Sequence, residues 1–318
     1  MSKPASPIVV TGGSGFIGTN LVGLLRESGI AVINYDRCPP LDTAAVNAWR
    51  QVDLNDVVAL ELQLRSDRPR AIIHLAAETR LGGKDEDFSG NISQARHLLN
   101  LSESLQIPRI LLASTMLVHH LGTQLRGEVP DIPTTPYGRS KAAMETMIRA
   151  HPFRNWTIIR PTTIWGPWHV RLAREFIARV DRGWYVHPNV DCRRSYGYVG
   201  NVCHQIMKIC ESDMATGKSY FVGDPAISLS EYVDTFSKRL RARPARRVPY
   251  RLLAAVAWLG DGARALGLPF PLTSYRLGNM TRDNVIDVSD TMELAGCGPF
   301  ALGHGVDLTV AWWRQHGG

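Results

Sequence analysis

The chain has 318 residues, 44% of them hydrophobic and 20% charged, an ordinary globular composition that can bury a sizeable core in one large domain or two closely joined ones. Its five cysteines, Cys38, Cys192, Cys203, Cys210 and Cys297, form no CxxC pair and keep no metal-ligand spacing with histidines, so they read as reduced packing residues and no metal is expected. The formal net charge of +7 suggests an anionic partner, while MSKPASP carries no apolar leader and no run approaches the roughly 20 apolar residues that span a bilayer, which predicts a soluble cytoplasmic protein without a membrane partner.

PIVVTG predicts a first strand, FIGTNLVGLLRESG a first helix and AVINYD a second strand. A helix near residues 55–65, the strand AIIHLAA, a helix over 91–105 and the strand RILLAST follow. A helix over about 137–150 and the strand WTIIRP complete the alternation. This βα order indicates the α/β class: a Rossmann-type, doubly wound parallel sheet with helices on both faces. Pro161, Gly166 and Pro167 then break the rhythm, which divides the chain into a dinucleotide-binding domain over 1–163, with a returning segment near 194–211, and a smaller, mainly substrate-binding domain over 164–318. That second half predicts a helix around 201–211, a strand at KSYFVG and a helix starting at Ser230. LLAAVAWLG, before Asp261, is too short to span a membrane and reads as a core-facing helix. The basic run over 237–251 lacks the aromatic interleaving of a nucleic-acid patch, so no nucleic acid is expected; a solvated basic face or a phosphate-bearing small substrate explains it.

TGGSGFIG lies between the first strand and the first helix. Gly12 and Gly13 can make the tight turn, Gly15 lets backbone approach a diphosphate, Phe16 and Ile17 open the helix, and Gly18 permits close helix packing. The helix N-terminus supplies amide donors and positive potential. Asp36, ending the second strand, can accept from a ribose and repel a 2′-phosphate, which favours NAD over NADP; Arg37 either meets solvent or pairs with such a phosphate. Tyr137 and Lys141 stand one helical turn apart. With a nicotinamide cation, the Lys141 ammonium would bring the phenol from about 10 to about 7, roughly 4 kcal/mol of differential stabilisation, making Tyr137 an acid and base.

These motifs, with VDL at 52–54, HLAAET at 74–79, AST at 113–115, YGRSK and RPTTIWGP, resemble the extended short-chain dehydrogenase/reductases, in particular the NAD-dependent epimerase/dehydratases that act on nucleotide sugars. The resemblance implies that Asp53 and Leu54 hold the adenine, that Leu75, Ala76, Ala77 and Pro161 line the cofactor cleft with Asn91 nearby, and that Lys141 and Tyr137 also contact the nicotinamide ribose. Thr115 matches the catalytic Ser/Thr beside the substrate oxygen, and Thr79 falls on the substrate side. Relatives that eliminate water carry Asp-Glu where Met116 and Leu117 stand here, and neither of these side chains exchanges a proton. Nucleotide-glucuronate decarboxylases likewise usually carry Glu at the Leu117 position. What remains is hydride transfer at one carbinol: a C4 epimerisation, or a simple oxidation or ketone reduction.

Arg194, in CRRSYGYVGNV, matches a residue that binds a nucleotide diphosphate, although Ser195, Gly200 and Asn201 replace expected acids. Arg276 and Arg282 lie near another phosphate-binding arginine of the family. Trp165 and Trp168 can stack on a base or sugar or pack in the core, and His169 or His187 can add an acid or base. The resemblance also implies a homodimer through the 91–105 and 137–150 helices, whose apolar residues exceed what one sheet face would cover. The leading expectation is a nucleotide-sugar epimerase on a nucleotide-diphosphate sugar. A dehydrogenase or ketoreductase on a sugar or other alicyclic alcohol is the alternative, and a non-catalytic NAD-binding regulator the third.

Overall fold

The computed structural model describes residues 6–80, 82–119 and 132–316. The first half runs β1 (Ile8–Thr11), α1 (Phe16–Glu27), β2 (Val32–Asp36), β3 (Trp49–Gln51), α2 (Val57–Asp67), β4 (Ala71–His74), α3 (Ser89–Ser104), β5 (Ile110–Ala113), α4 (Pro136–Ala150) and β6 (Trp156–Pro161). Apart from the short β3, the predicted elements are in place within a few residues. Side-chain caps fix two of the starts: Asp56 accepts from Ala59 N at 3.0 Å at the head of α2, and Thr135 from Gly138 N at 3.0 Å at the head of α4. Pro136 follows Thr135 at the first helical position, where its missing N–H costs nothing.

The second half contains β7 (Thr163–Trp165), α5 (Val170–Leu172), α6 (Ala178–Asp181), β8 (Val186–Pro188), β9 (Arg193–Arg194), β10 (Tyr196–Tyr198), α7 (Val199–Glu211), β11 (Ser219–Val222) and β12 (Ile227–Ser228). It ends with α8 (Leu229–Arg241), β13 (Arg246–Val248), α9 (Tyr250–Ala265), α10 (Ser274–Gly278), α11 (Ser289–Ala295) and α12 (Leu302–His316). Small strand pairs outside the main sheet, β7 with β10, β8 with β13 and β9 with β12, tie this half together.

The main sheet has seven parallel strands in the order β11-β6-β5-β4-β1-β2-β3. Successive side chains of a strand face opposite ways. Val10, Ile73, Leu111 and Ile159 therefore meet α1 and α7 on one face, whereas Val9, Ile72, Leu112 and Ile158 meet α2, α3 and α4 on the other. The chain winds outward from β1 through β2 and β3, then jumps to β4 on the other side of β1. Ligands bind at such a switch point, beside the carboxyl ends of the strands.

Three expectations need correction. The nucleotide-binding layer reclaims more of the second half than residues 194–211, because β11 pairs with β6 as the sheet's edge strand. The apolar residues of α3 and α4 are covered within the chain, and none of the exposed large hydrophobic side chains lies on either helix, so an apolar surplus gives no reason for pairing there. Helix α9 is not simply core-facing: Leu253, Ala257 and Gly260 are buried while Leu252, Trp258 and Leu259 are exposed.

Candidate active site

The glycine loop rises from the carboxyl end of β1 at the switch point. Gly12 has φ +72, and a Cβ there would lie 2.5 Å from Ala76 N, so the loop presses on the backbone that follows β4. A Cβ on Gly18 would lie 2.2 Å from Gly12 O, which fixes how closely α1 approaches its own loop. Gly15 stands at the N-cap of α1 with no side-chain cap, and among the described residues its only near neighbour on the Cβ side is Gly12 O at 3.3 Å. The first-turn amides of α1, from Phe16 and Ile17 onward, thus lack a side-chain acceptor, and a Cβ-free surface lies beside them. This cradle fits a dinucleotide diphosphate.

The rim of the cradle is tied to β2. Ser14 N donates to Asp36 Oδ2 at 3.1 Å and Cys38 N to Asp36 Oδ1 at 3.0 Å, while Asn34 Nδ2 donates to Ser14 Oγ at 3.0 Å. Asp36 therefore sits beside the loop, where a ribose would lie, and Arg37 is exposed. Gly13 has no room for a side chain, since a Cβ would lie 2.3 Å from Asn34 Oδ1. Asp53 accepts from Asn55 N at 3.0 Å and Leu54 is buried; Leu75, Ala76, Ala77 and Pro161 are half-buried around the strand ends.

The cap and proline at the start of α4 put Tyr137 in its first turn, with Lys141 and Glu145 following on the same face. Gly138 explains the close seating of α4, because a Cβ there would lie 2.3 Å from Leu117 O. The helix thereby rests directly on the Thr115–Met116–Leu117 turn, whose Thr115 Oγ1 accepts from Leu117 N at 3.3 Å. Lys141, 1% exposed, donates from Nζ to Ala113 O at 2.7 Å. Burial pulls its ammonium down to about 8, with the Glu145 carboxylate acting in the opposite sense. Burial also pushes the Tyr137 phenol up to about 12. The protein's own groups thus do not supply the phenolate expected near neutral pH.

Asn91 is buried and spent on protein: Oδ1 accepts from Glu78 N at 2.8 Å, and Nδ2 donates to Glu78 O and to Ser140 Oγ, both at 3.2 Å. It straps the segment after β4 to α4, so its place is behind the cleft. Trp165 is 2% exposed in an aromatic cluster with Tyr198, Tyr232 and Phe236, which overturns stacking on a substrate. Trp168 has φ +68 and contacts Trp312 and His316. His169 Nδ1 accepts from Leu172 N at 3.0 Å and burial draws it down to about 4; His187, also drawn down to about 4 by burial, is wedged between Tyr185 and Ser230. Both histidines are engaged in structure.

The β9 segment brings Arg194 and Arg282 together, with Arg194 Nη1 donating to Arg282 O at 3.4 Å, whereas Arg276 turns its Nη1 to Pro271 O at 2.6 Å. Thr79 is exposed. The sequence reading missed a buried pair behind Lys141. Glu145, with a fully buried side chain, accepts from Arg160 Nε at 2.9 Å and Nη2 at 2.7 Å, and from Arg149 Nη2 at 2.6 Å. Burial alone would raise this carboxyl, but the Arg160 guanidinium, supported by Arg149, holds it below the ordinary glutamate value. Arg160 Nη1 also lies 3.2 Å from His119 Nε2, which joins the end of the Thr115–Leu117 turn to the same network. His74, likewise missed, bonds Thr11 Oγ1 at 2.7 Å where β1 meets β4; burial, then the Lys141 charge, lowers it to about 3 and keeps it neutral. The one signal in the sequence was the spacing of Glu145, one further turn along the Tyr137–Lys141 face.

Residues 8–223 match the NAD dependent epimerase/dehydratase family. Among curated proteins, the chain is 26% identical over 298 residues to a 3 beta-hydroxysteroid dehydrogenase/Delta 5-to-4-isomerase of Mycobacterium tuberculosis, covering 83% of this chain and 78% of the relative. It is 30% identical over 196 residues to a dTDP-glucose 4,6-dehydratase of Neisseria meningitidis, covering 51% and 54%. Its fold is similar to that of a UDP-glucose 4-epimerase of Thermotoga maritima with UDP-glucose, at a TM-score of 0.74, 20% identity and 97% and 99% coverage.

Proposed function

This chain belongs to the NAD dependent epimerase/dehydratase family, and on that premise we propose that it is a nucleotide-sugar epimerase that oxidises and re-reduces a single sugar carbinol, at C4. One observation carries the reading: the Tyr137–Lys141 pair is seated on a catalytic turn whose next residues, Met116 and Leu117, can neither give nor take a proton. The residue types of a proton relay stand there, and positions 116 and 117 lack those of an elimination's acid and base.

Gly12, Gly13, Gly15 and the first turn of α1 would hold NAD, which would supply the hydride acceptor and a positively charged ring. Asp36 accepts from its ribose. Tyr137 takes the carbinol proton and later returns it, while Thr115 hydrogen-bonds the same oxygen. A phenol at about 12 needs roughly 7 kcal/mol of anion stabilisation to work near neutral pH, at about 1.4 kcal/mol per unit. Lys141 contributes by releasing Ala113 O and turning its ammonium along the helix face towards Tyr137. Arg194, whose Nη1 reaches the backbone carbonyl of Arg282 at 3.4 Å, binds the substrate's diphosphate.

A second reading, net dehydrogenation of an alicyclic alcohol, is favoured by one observation. The hydroxysteroid relative aligns with 83% of this chain, substrate half included, whereas the dTDP-glucose relative aligns with 51%. Turnover of a panel of nucleotide sugars without added NAD separates the two. Epimers forming catalytically support the first reading; product appearing only in proportion to added NAD, from unphosphorylated alcohols, supports the second.

A further inference from the structure

Helix α9 carries two apolar stripes. Leu253, Ala257 and Gly260 recur at helical spacing and face inward, towards Leu277 of α10 and Val186 and Val248 of the β8–β13 pair. Leu252, Val256 and Leu259 recur at the same spacing one residue earlier and face solvent, with Leu259 60% exposed. Trp258, 73% exposed, and Leu266, 80% exposed, extend this outer face past the end of the helix. So large an apolar patch marks an interaction site.

Its charge setting identifies the partner. Between residues 243 and 276 stand Arg243, Arg246, Arg247, Arg251, Arg264 and Arg276, against Asp261 alone among acids. Asp261 is occupied, accepting from Ser274 N at 3.1 Å. Arg247 pairs with Asp234, but Arg243, Arg246, Arg251 and Arg264 have no ion pair among the described residues. A second copy docking here by two-fold symmetry would set this arginine belt against itself. An anionic surface would complement it.

We propose that the outer face of α9 rests on an anionic phospholipid surface, with Trp258, Leu259 and Leu266 among the acyl chains and Arg251, two turns before Trp258 on the same side of the helix, at the phosphates. At 16 residues the helix is too short to span and lies in the interfacial plane. This docking is independent of which alcohol is oxidised. It also accounts for Arg251, at the end of the basic run, and for the exposed side of LLAAVAWLG together.

The test is flotation of the full chain with vesicles of phosphatidylcholine alone and of phosphatidylcholine mixed with phosphatidylglycerol. The chain should float with the mixed vesicles, remain behind with the neutral ones, and detach as salt is raised. Arg251→Gln should weaken vesicle affinity roughly fivefold, as expected for one basic residue near an anionic surface. Leu259→Glu should abolish flotation, and retention of NAD by that variant shows that its fold survives. Equal affinity for both vesicles, or for neither, overturns the proposal. So does sedimentation showing a dimer that Leu259→Glu dissolves while vesicles leave the protein unbound; the face would then belong to a second copy.

Discussion

Glu145→Gln tests the buried pair that underlies α4, the helix of Tyr137 and Lys141. The carboxylate is fully buried and takes both arms of Arg160, whose side chain is 12% exposed. Glutamine keeps one acceptor oxygen and turns an N–H₂ group towards the guanidinium. Breaking one partner of a buried ion pair costs about 3–5 kcal/mol, and the share from Arg149, 40% exposed, adds little after solvent screening. At roughly 2–4 °C per kcal/mol, the melting temperature near neutral pH should fall by about 10 °C. The loss should itself depend on pH. Glu145 titrates lower in the folded chain than in the unfolded one, so its stabilisation is present above the ordinary glutamate range and disappears as pH falls through the depressed folded value. The gap between wild type and variant should therefore close in acid. Glu145 also raises the Lys141 ammonium against its burial, so the alkaline fall in turnover should move to lower pH in the variant. Calorimetric melts and a pH–rate profile check both effects. A variant melting within about 1 °C of wild type, with an unshifted alkaline limb, would refute the reasoning.

The other predictions concern the seat of α4, the cofactor rim and the relay. Gly138→Ala drives a Cβ to 2.3 Å from Leu117 O and should destabilise by about 1–3 kcal/mol while lowering turnover more than NAD affinity; a wild-type melt with wild-type turnover would show that the helix can shift freely. Asp36→Ala should weaken NAD binding and narrow the preference against NADP, because the ribose acceptor and the brace on Ser14 N disappear together; equal affinity of the wild type for both cofactors would move attention to Arg37. Tyr137→Phe should lose at least about a thousandfold in turnover with NAD still bound, and Thr115→Val should lose less; turnover near wild type in the phenylalanine variant would end the relay account.

The first half of the fold was legible because buried parallel strands read as short unbroken apolar runs, IVVT, AIIH and ILLA, alternating with helical segments. The glycine loop was legible because its positions answer to backbone geometry alone, as the Cβ collisions at Gly12 and Gly18 show. What escaped depended on contacts across the chain. Glu145 and Arg160 meet from a helix and a strand, and nothing local to either announces the other. Trp165 follows a recognisable motif, but its direction was decided by Tyr232 and Phe236, far along the chain. Helix α9 carries apolar residues on two sides, and its sequence alone does not tell which side Leu277, Val186 and Val248 cover.

The central claim, that one carbinol is oxidised and re-reduced with no elimination, is tested most directly by the mass of the product. Nucleotide sugars deuterated at C4 should be incubated with the purified chain and no added NAD, and the products separated and weighed. The account predicts an epimer of unchanged mass that keeps its deuterium, because the same hydride leaves and returns. A product lighter by one water would contradict it, since Met116 and Leu117 supply neither the acid nor the base that such an elimination requires.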